Sequence, residues 1–189
     1  MSKTKFTKLI IATLLGSLTM FLWGYFSHAA FFIGTGFSPL PNEARVKEAL
    51  KTNITGKGLY FFAGQDRSAP KELEAVFKDT VRNGPVGLIV YKPVSGNPFL
   101  AGKLMTQFLG NVLSVLIAVQ IASLIQAGYW KRVLAVTQVG LLACSAVSSL
   151  YWNWYALPAS LFIAQILDME IGFFLAGLVI CKVLPETKA

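Results

Sequence analysis

Four long apolar runs alternate with polar connections along this chain. Residues 9–32, 104–127, 133–150 and 157–184 carry almost all of the sustained hydrophobicity. A helix rises 1.5 Å per residue, so about 20 apolar residues cross a hydrocarbon core of about 30 Å. The pattern predicts four membrane-spanning helices, the third of them short. Pro158 is tolerated in the first turn of the fourth span, and Pro185 ends it. A cleaved signal peptide competes for the first run, because Ser27-His28-Ala29 offers small residues at a suitable spacing. The run exceeds an ordinary signal-peptide core, which favours a retained helix.

Residues 33–103 break the pattern. Pro39 and Pro41 interrupt the entering chain, and Asn42 is placed to cap a helix over 43–53 with Val46, Ala49 and Leu50 on one face. Leu59-Tyr60-Phe61-Phe62 reads as a strand. Pro70 suits the first turn of a second helix over 70–82, with Leu73, Val76, Phe77 and Val81 inward. A second strand follows over 86–91. Such a unit has a thin core, so it is expected to lean on the spans or on a partner. The fold class is thus an all-α transmembrane bundle of four helices with a small α+β extracytoplasmic insert.

Composition agrees. The chain has 189 residues, 54% hydrophobic and 14% charged, with mean hydropathy +0.58. That is too apolar for a water-soluble domain of this size. The net charge of +8 is no nucleic-acid footprint. Lys3, Lys5, Lys8, Lys131, Arg132, Lys182 and Lys188 all flank predicted spans, which makes them orientation signals. They put the 1–8 tail, the 128–132 turn and the 185–189 tail on the cytoplasmic side. The insert and an aromatic loop over 151–156 then lie outside. Both cysteines, Cys144 and Cys181, fall inside apolar segments, so no disulfide framework is expected. Asn53-Ile54-Thr55 is a glycosylation triplet of the kind common by chance.

Small and polar residues mark packed faces in lipid. Gly16, Met20, Gly24 and His28 form such a stripe in the first span. Gln107, Asn111, Ser114, Ala118 and Ala122 form one in the second, and Gly140, Cys144 and Ser148 in the third. Gln165, Asp168 and Gly172 share a face of the fourth.

Asp168 and Glu170 are the candidate chemistry. A charge at mid-bilayer costs roughly 2.5–3.5 kcal/mol on insertion scales, which makes an intramembrane carboxyl a functional candidate. The two lie about 200° apart around a helix and do not share one narrow cavity. Asp168 is the candidate interior group, in a polar site with Gln165, Asn111 and Gln138; Gln120 is a further possible hydrogen-bond partner. Glu170 is the candidate partner-facing group. A structural, protonated carboxyl is the plain alternative. His28, the one histidine, is placed near the outer end of its helix. Asp168 lies about 15 Å into its own, so the two are not expected to meet. His28 is expected to meet Trp152, Asn153 or Trp154, which form with it a candidate outer-interface site. An aromatic belt at the headgroup level explains the tryptophans without a ligand.

No metal site is expected, because no second histidine or cysteine outside the bilayer completes one. There is no G-x-S-x-G and no H-E-x-x-H motif, so no catalytic residue is assigned, no cofactor is expected and an enzyme is disfavoured.

Several strings together are similar to an uncharacterised group of small bacterial inner-membrane proteins. They are Trp23-Gly24 with Ser27-His28, Leu40-Pro41-Asn42-Glu43, Gly58-Leu59-Tyr60-Phe61-Phe62, Gly84-Pro85, Trp152-Asn153-Trp154-Tyr155 and Leu175-Ala176-Gly177. The group has four helices with an extracytoplasmic insert after the first. The resemblance implies that architecture and a bacterial inner-membrane location, and transfers no catalytic residue.

The leading expectation is an accessory or scaffold subunit of a bacterial inner-membrane complex, with both termini cytoplasmic. Its partners are membrane lipids and other membrane subunits or copies of itself, and no nucleic acid. The alternatives are a small proton- or cation-coupled transporter using Asp168, and a lipid- or quinone-binding protein or intramembrane enzyme with an outer site near His28.

Overall fold

The structure is a computed structural model that describes residues 3–31, 38–62, 64, 73–93 and 101–185. Its elements are α1 (Lys3–Tyr25), a π-helical turn (Phe26–Ala30), α2 (Glu43–Asn53), β1 (Gly58–Phe62), α3 (Glu74–Asn83), β2 (Gly87–Tyr91), α4 (Ala101–Leu124), α5 (Tyr129–Tyr155) and α6 (Ala159–Val183). Four helices are long and apolar enough to cross a membrane: Lys3–Ala30, α4, α5 and α6. The chain divides into two compact units. One holds 1–36, 99–149 and 159–189; the other holds 37–98 and 150–158.

In the first unit small residues let helices approach closely, as lipid-embedded packing requires. A Cβ built on Gly16 falls 2.8 Å from Val115 of α4 and 3.0 Å from Ile180 of α6. Three helices therefore meet at Gly16. A Cβ on Gly140 of α5 falls 2.8 Å from the Phe173 Cβ, and one on Gly177 falls 3.3 Å from the Val133 carbonyl and from Val136. Around these contacts Ala12, Val115, Ala118, Val119, Ala122, Val133, Val136, Ala176 and Ile180 are buried. The outward faces carry Leu14, Leu113, Leu134, Leu142 and Ile163. Large apolar side chains thus face outward from all four long helices.

In the second unit β1 and β2 form an antiparallel two-stranded sheet, with Leu59 opposite Val90 and Phe61 opposite Leu88. Neither α2 nor α3 buries a residue. Val46, Leu50 and Phe77 are half-buried, but Ala49, Leu73, Val76 and Val81 are exposed rather than inward. The Phe61 ring packs edge-on against Tyr155, centroids 5.9 Å apart.

Several boundaries differ from expectation. The third span is not short: α5 has 27 residues and takes in both Lys131-Arg132 and the aromatic string. Residues 151–155 are its last turns rather than a loop, and only 156–158 connect to α6. The charged and aromatic residues that broke the apolar pattern did not break the helix, because none of them is a helix breaker. Asn42 does not cap α2 through its side chain. It sits in the left-handed region at φ 52°, and its carbonyl accepts from the Arg45 and Val46 amides. Described residues of the helix expected at 70–82 begin it at Glu74, and Pro70 lies outside them.

Candidate functional site

α1 and α6 run antiparallel, and their small residues set the register. Gly16 faces Ile180, and Gly172 faces Met20 and Trp23. A Cβ on Gly172 would fall 3.0 Å from the Trp23 ring and 3.1 Å from the Met20 sulfur, so the glycine admits both side chains. The Trp23 indole N–H then reaches α6 and donates to the Asp168 carbonyl at 2.9 Å. One turn further along α1, this register brings His28 to Asp168. The expectation that the two do not meet is corrected. His28 Nδ1 lies 3.9 Å from Asp168 Oδ2. Counting each residue's depth from its own helix end failed because the end of α1 and the start of α6 are not level: His28, two residues from the end of the π turn, meets Asp168, nine residues into α6.

The π turn contributes to this placement. Its closing bond is from the Phe31 amide to the Phe26 carbonyl, five residues back, at 2.9 Å. Such turns carry one residue more than an α turn and recur at functional sites. Here the turn holds Ser27 and His28. Ser27 is fully buried, with its Oγ 2.8 Å from His28 Nδ1 and 3.4 Å from the Gly24 carbonyl. Nδ1 also lies 3.1 Å from that carbonyl.

Two proton arrangements fit these distances. The Ser27 hydroxyl donates to an unprotonated Nδ1, or a protonated Nδ1 donates to the Gly24 carbonyl beside the Asp168 carboxylate. A separation of 3.9 Å is too long for a hydrogen bond. The Asp168 side chain is 15% exposed and that of His28 52%. Asp168 Oδ1 is buried and has no hydrogen-bond partner among the described residues. The arrangement is therefore a carboxyl–imidazole pair, one group sheltered between helices and the other open.

Asn111 is buried but accepts from Gln107 of its own helix at 3.1 Å. Gln107, Ser114, Gln120 and Gln138 are exposed, so the predicted stripe of α4 is only partly inward. Gln165 and Glu170 are half-buried. Trp152, Asn153 and Trp154 are exposed members of the second unit. Among the described residues no three histidine, cysteine or acidic side chains gather into a metal-ligating group.

Arg132 was missed as a structural centre. Expected as a turn residue, it is 1% exposed within α5. Its Nε donates to the Ala122 carbonyl and its Nη1 to the Pro185 carbonyl, both at 3.0 Å. One guanidinium thus satisfies orphan carbonyls at the ends of α4 and α6. Its place just inside a helix, next to two other helix ends, was the available signal.

Compared with known proteins, the chain matches no family model, no curated protein and no solved structure.

Proposed function

We propose that the chain is an accessory subunit of a bacterial inner-membrane assembly, with both termini cytoplasmic, the insert outside and no chemistry of its own. The observation that carries this reading is Gln138. It is exposed about 14 Å into α5, on a stripe with the exposed Leu134, Leu142 and Ala146. An amide facing hydrocarbon without a partner costs several kcal/mol. A polar side chain of a neighbouring subunit removes that cost, and the aliphatic residues around it provide the packing surface. Glu170, half-buried on α6, is a second partner-facing group in this reading. A photo-crosslinking residue at 138 or 142 should give one discrete protein adduct in native membranes. The same residue at Leu109, on the exposed face of α4, should give lipid adducts. Lipid adducts alone at all three positions end the proposal.

The His28–Asp168 pair favours a second reading, a small proton- or cation-coupled carrier. Its support is the sheltered, donor-free Oδ1 beside an open imidazole. In liposomes, Asp168→Asn should abolish proton-driven flux of the carried solute. Equal flux in both proteins removes Asp168 from any transport mechanism.

A further inference from the structure

At the opposite end of the helical unit from His28, where α1 begins and α6 ends, lies a cavity of about 440 Å³. It is lined by Lys8 of α1, Tyr129 of α5, and Cys181, Lys182, Val183, Leu184 and Pro185 at the end of α6. We propose that this cavity binds the phosphate group of an anionic membrane lipid.

Charge is the first argument. Two lysines from different helices line the cavity, and neither pairs with a carboxylate among the described residues. Of all the acids in the sequence, only Asp168 and Glu170 lie on the four long helices. Glu170 is twelve residues from Lys182, about 18 Å along α6. Glu186, outside the described residues, is one acid against Lys8, Lys182 and the nearby Arg132.

The second argument concerns what else those lysines might serve. A helix end presents orphan carbonyls that ordinarily attract cations. Here Arg132 already holds the Pro185 carbonyl, and the Tyr129 hydroxyl donates to the Leu178 carbonyl at 3.0 Å. The Pro185 carbonyl, which lines the cavity, is thereby taken out of competition for the lysines. The third argument is place. The cavity lies at the ends of the spans, at the depth where headgroup phosphates lie, and its volume falls in the range of ligand sites. Basic pockets between spans at that level hold anionic headgroups.

The test uses the full chain in nanodiscs of equal parts phosphatidylglycerol and phosphatidylcholine, with retained lipid counted by native mass spectrometry. Phosphatidylglycerol should be enriched, and the enrichment should fall roughly fivefold for each lysine removed in K8Q, K182Q and the double variant. K131Q removes an exposed charge near the same end that does not line the cavity, and should leave the enrichment unchanged. Circular dichroism checks that the double variant remains folded. Titrating inorganic phosphate into detergent-solubilised protein separates the sources. Saturable binding that K8Q/K182Q loses identifies a free anion as the ligand, whereas no binding leaves the lipid headgroup. Equal enrichment in wild type and double variant overturns the proposal, as does an equal loss in K131Q.

Discussion

α5 alone buries Arg132, Val133, Val136, Thr137, Gly140 and Cys144, whereas α2 and α3 together bury nothing. The helical unit concentrates its stability in a few close contacts between helices: Gly16 on Ile180, Gly140 on Phe173, Arg132 on two helix ends. Its large outward side chains need no cover, because hydrocarbon is as apolar as they are. The described residues of α2 and α3 are none of them buried. The insert holds together through local bonds, such as Asn83 to Asp79 and the Tyr60 hydroxyl to the Gly56 carbonyl, and through one short ladder. Single substitutions should therefore cost much in the first unit and little in the second.

Arg132→Met is the most severe test of that contrast. It strands carbonyls at two helix ends and should cost about 3–6 kcal/mol, at roughly 1.5–3 for each charged hydrogen bond. The measurement is the unfolding midpoint in a denaturing detergent, and a loss under 1 kcal/mol would mean the ends are satisfied otherwise. Gly140→Leu comes next, at about 1–3 kcal/mol, because the first added carbon already meets the Phe173 Cβ and a helix must move. Gly24→Ala is its internal control: nothing lies within 4 Å of that Cβ, so helix propensity alone should act, neutral to slightly stabilising. Trp23→Phe removes one bond between α1 and α6 and should cost about 0.5–1.5 kcal/mol.

The insert supplies the small end of the scale. Val90→Ala, opposite Leu59 on an exposed face, should cost about 0.2–1 kcal/mol and be read only in the exchange protection of β1 and β2. Smallest is a pH effect. Hydrogen bonds and charge from Lys47 and Lys78 hold the Glu43 and Glu74 carboxyls below their ordinary 4.5. A lowered folded value means stabilisation that is present above the unfolded value and lost as pH falls through the folded one. Both pairs are fully exposed, so the change should be slight and vanish in high salt. Amide exchange of residues 43–53 and 74–83, followed at low pH with and without salt, reads it. A large response there would show that the insert is held by its ion pairs after all.

The spans were legible because sustained apolar runs have few other readings. Their ends were not. Lys131, Arg132 and the string from Tyr151 to Tyr155 look like interface residues whether the backbone around them is helix or loop. The packed glycines of α1 and α5 were visible as spacing, but their partners depend on which helices adjoin. Asp168 was legible as an interior candidate from its type and place. Its meeting with His28 was not, because a register between two helices is fixed by Gly16, Gly172 and Trp23 together rather than by distance from a helix end. The hydrogen bonding of Asn111 was hidden for a related reason: its described bond is with Gln107, four residues away on its own helix.

The π turn at Phe26–Ala30 makes His28 sensitive to chain length in a way no substitution reproduces. A helix advances about 100° per residue, so deleting Phe26 or Ser27, and with it the surplus, swings His28 and everything beyond by that angle. The imidazole would then leave α6, with every remaining side chain around it unchanged in kind. At this point in the chain, a gap of one codon is a larger event than any replacement.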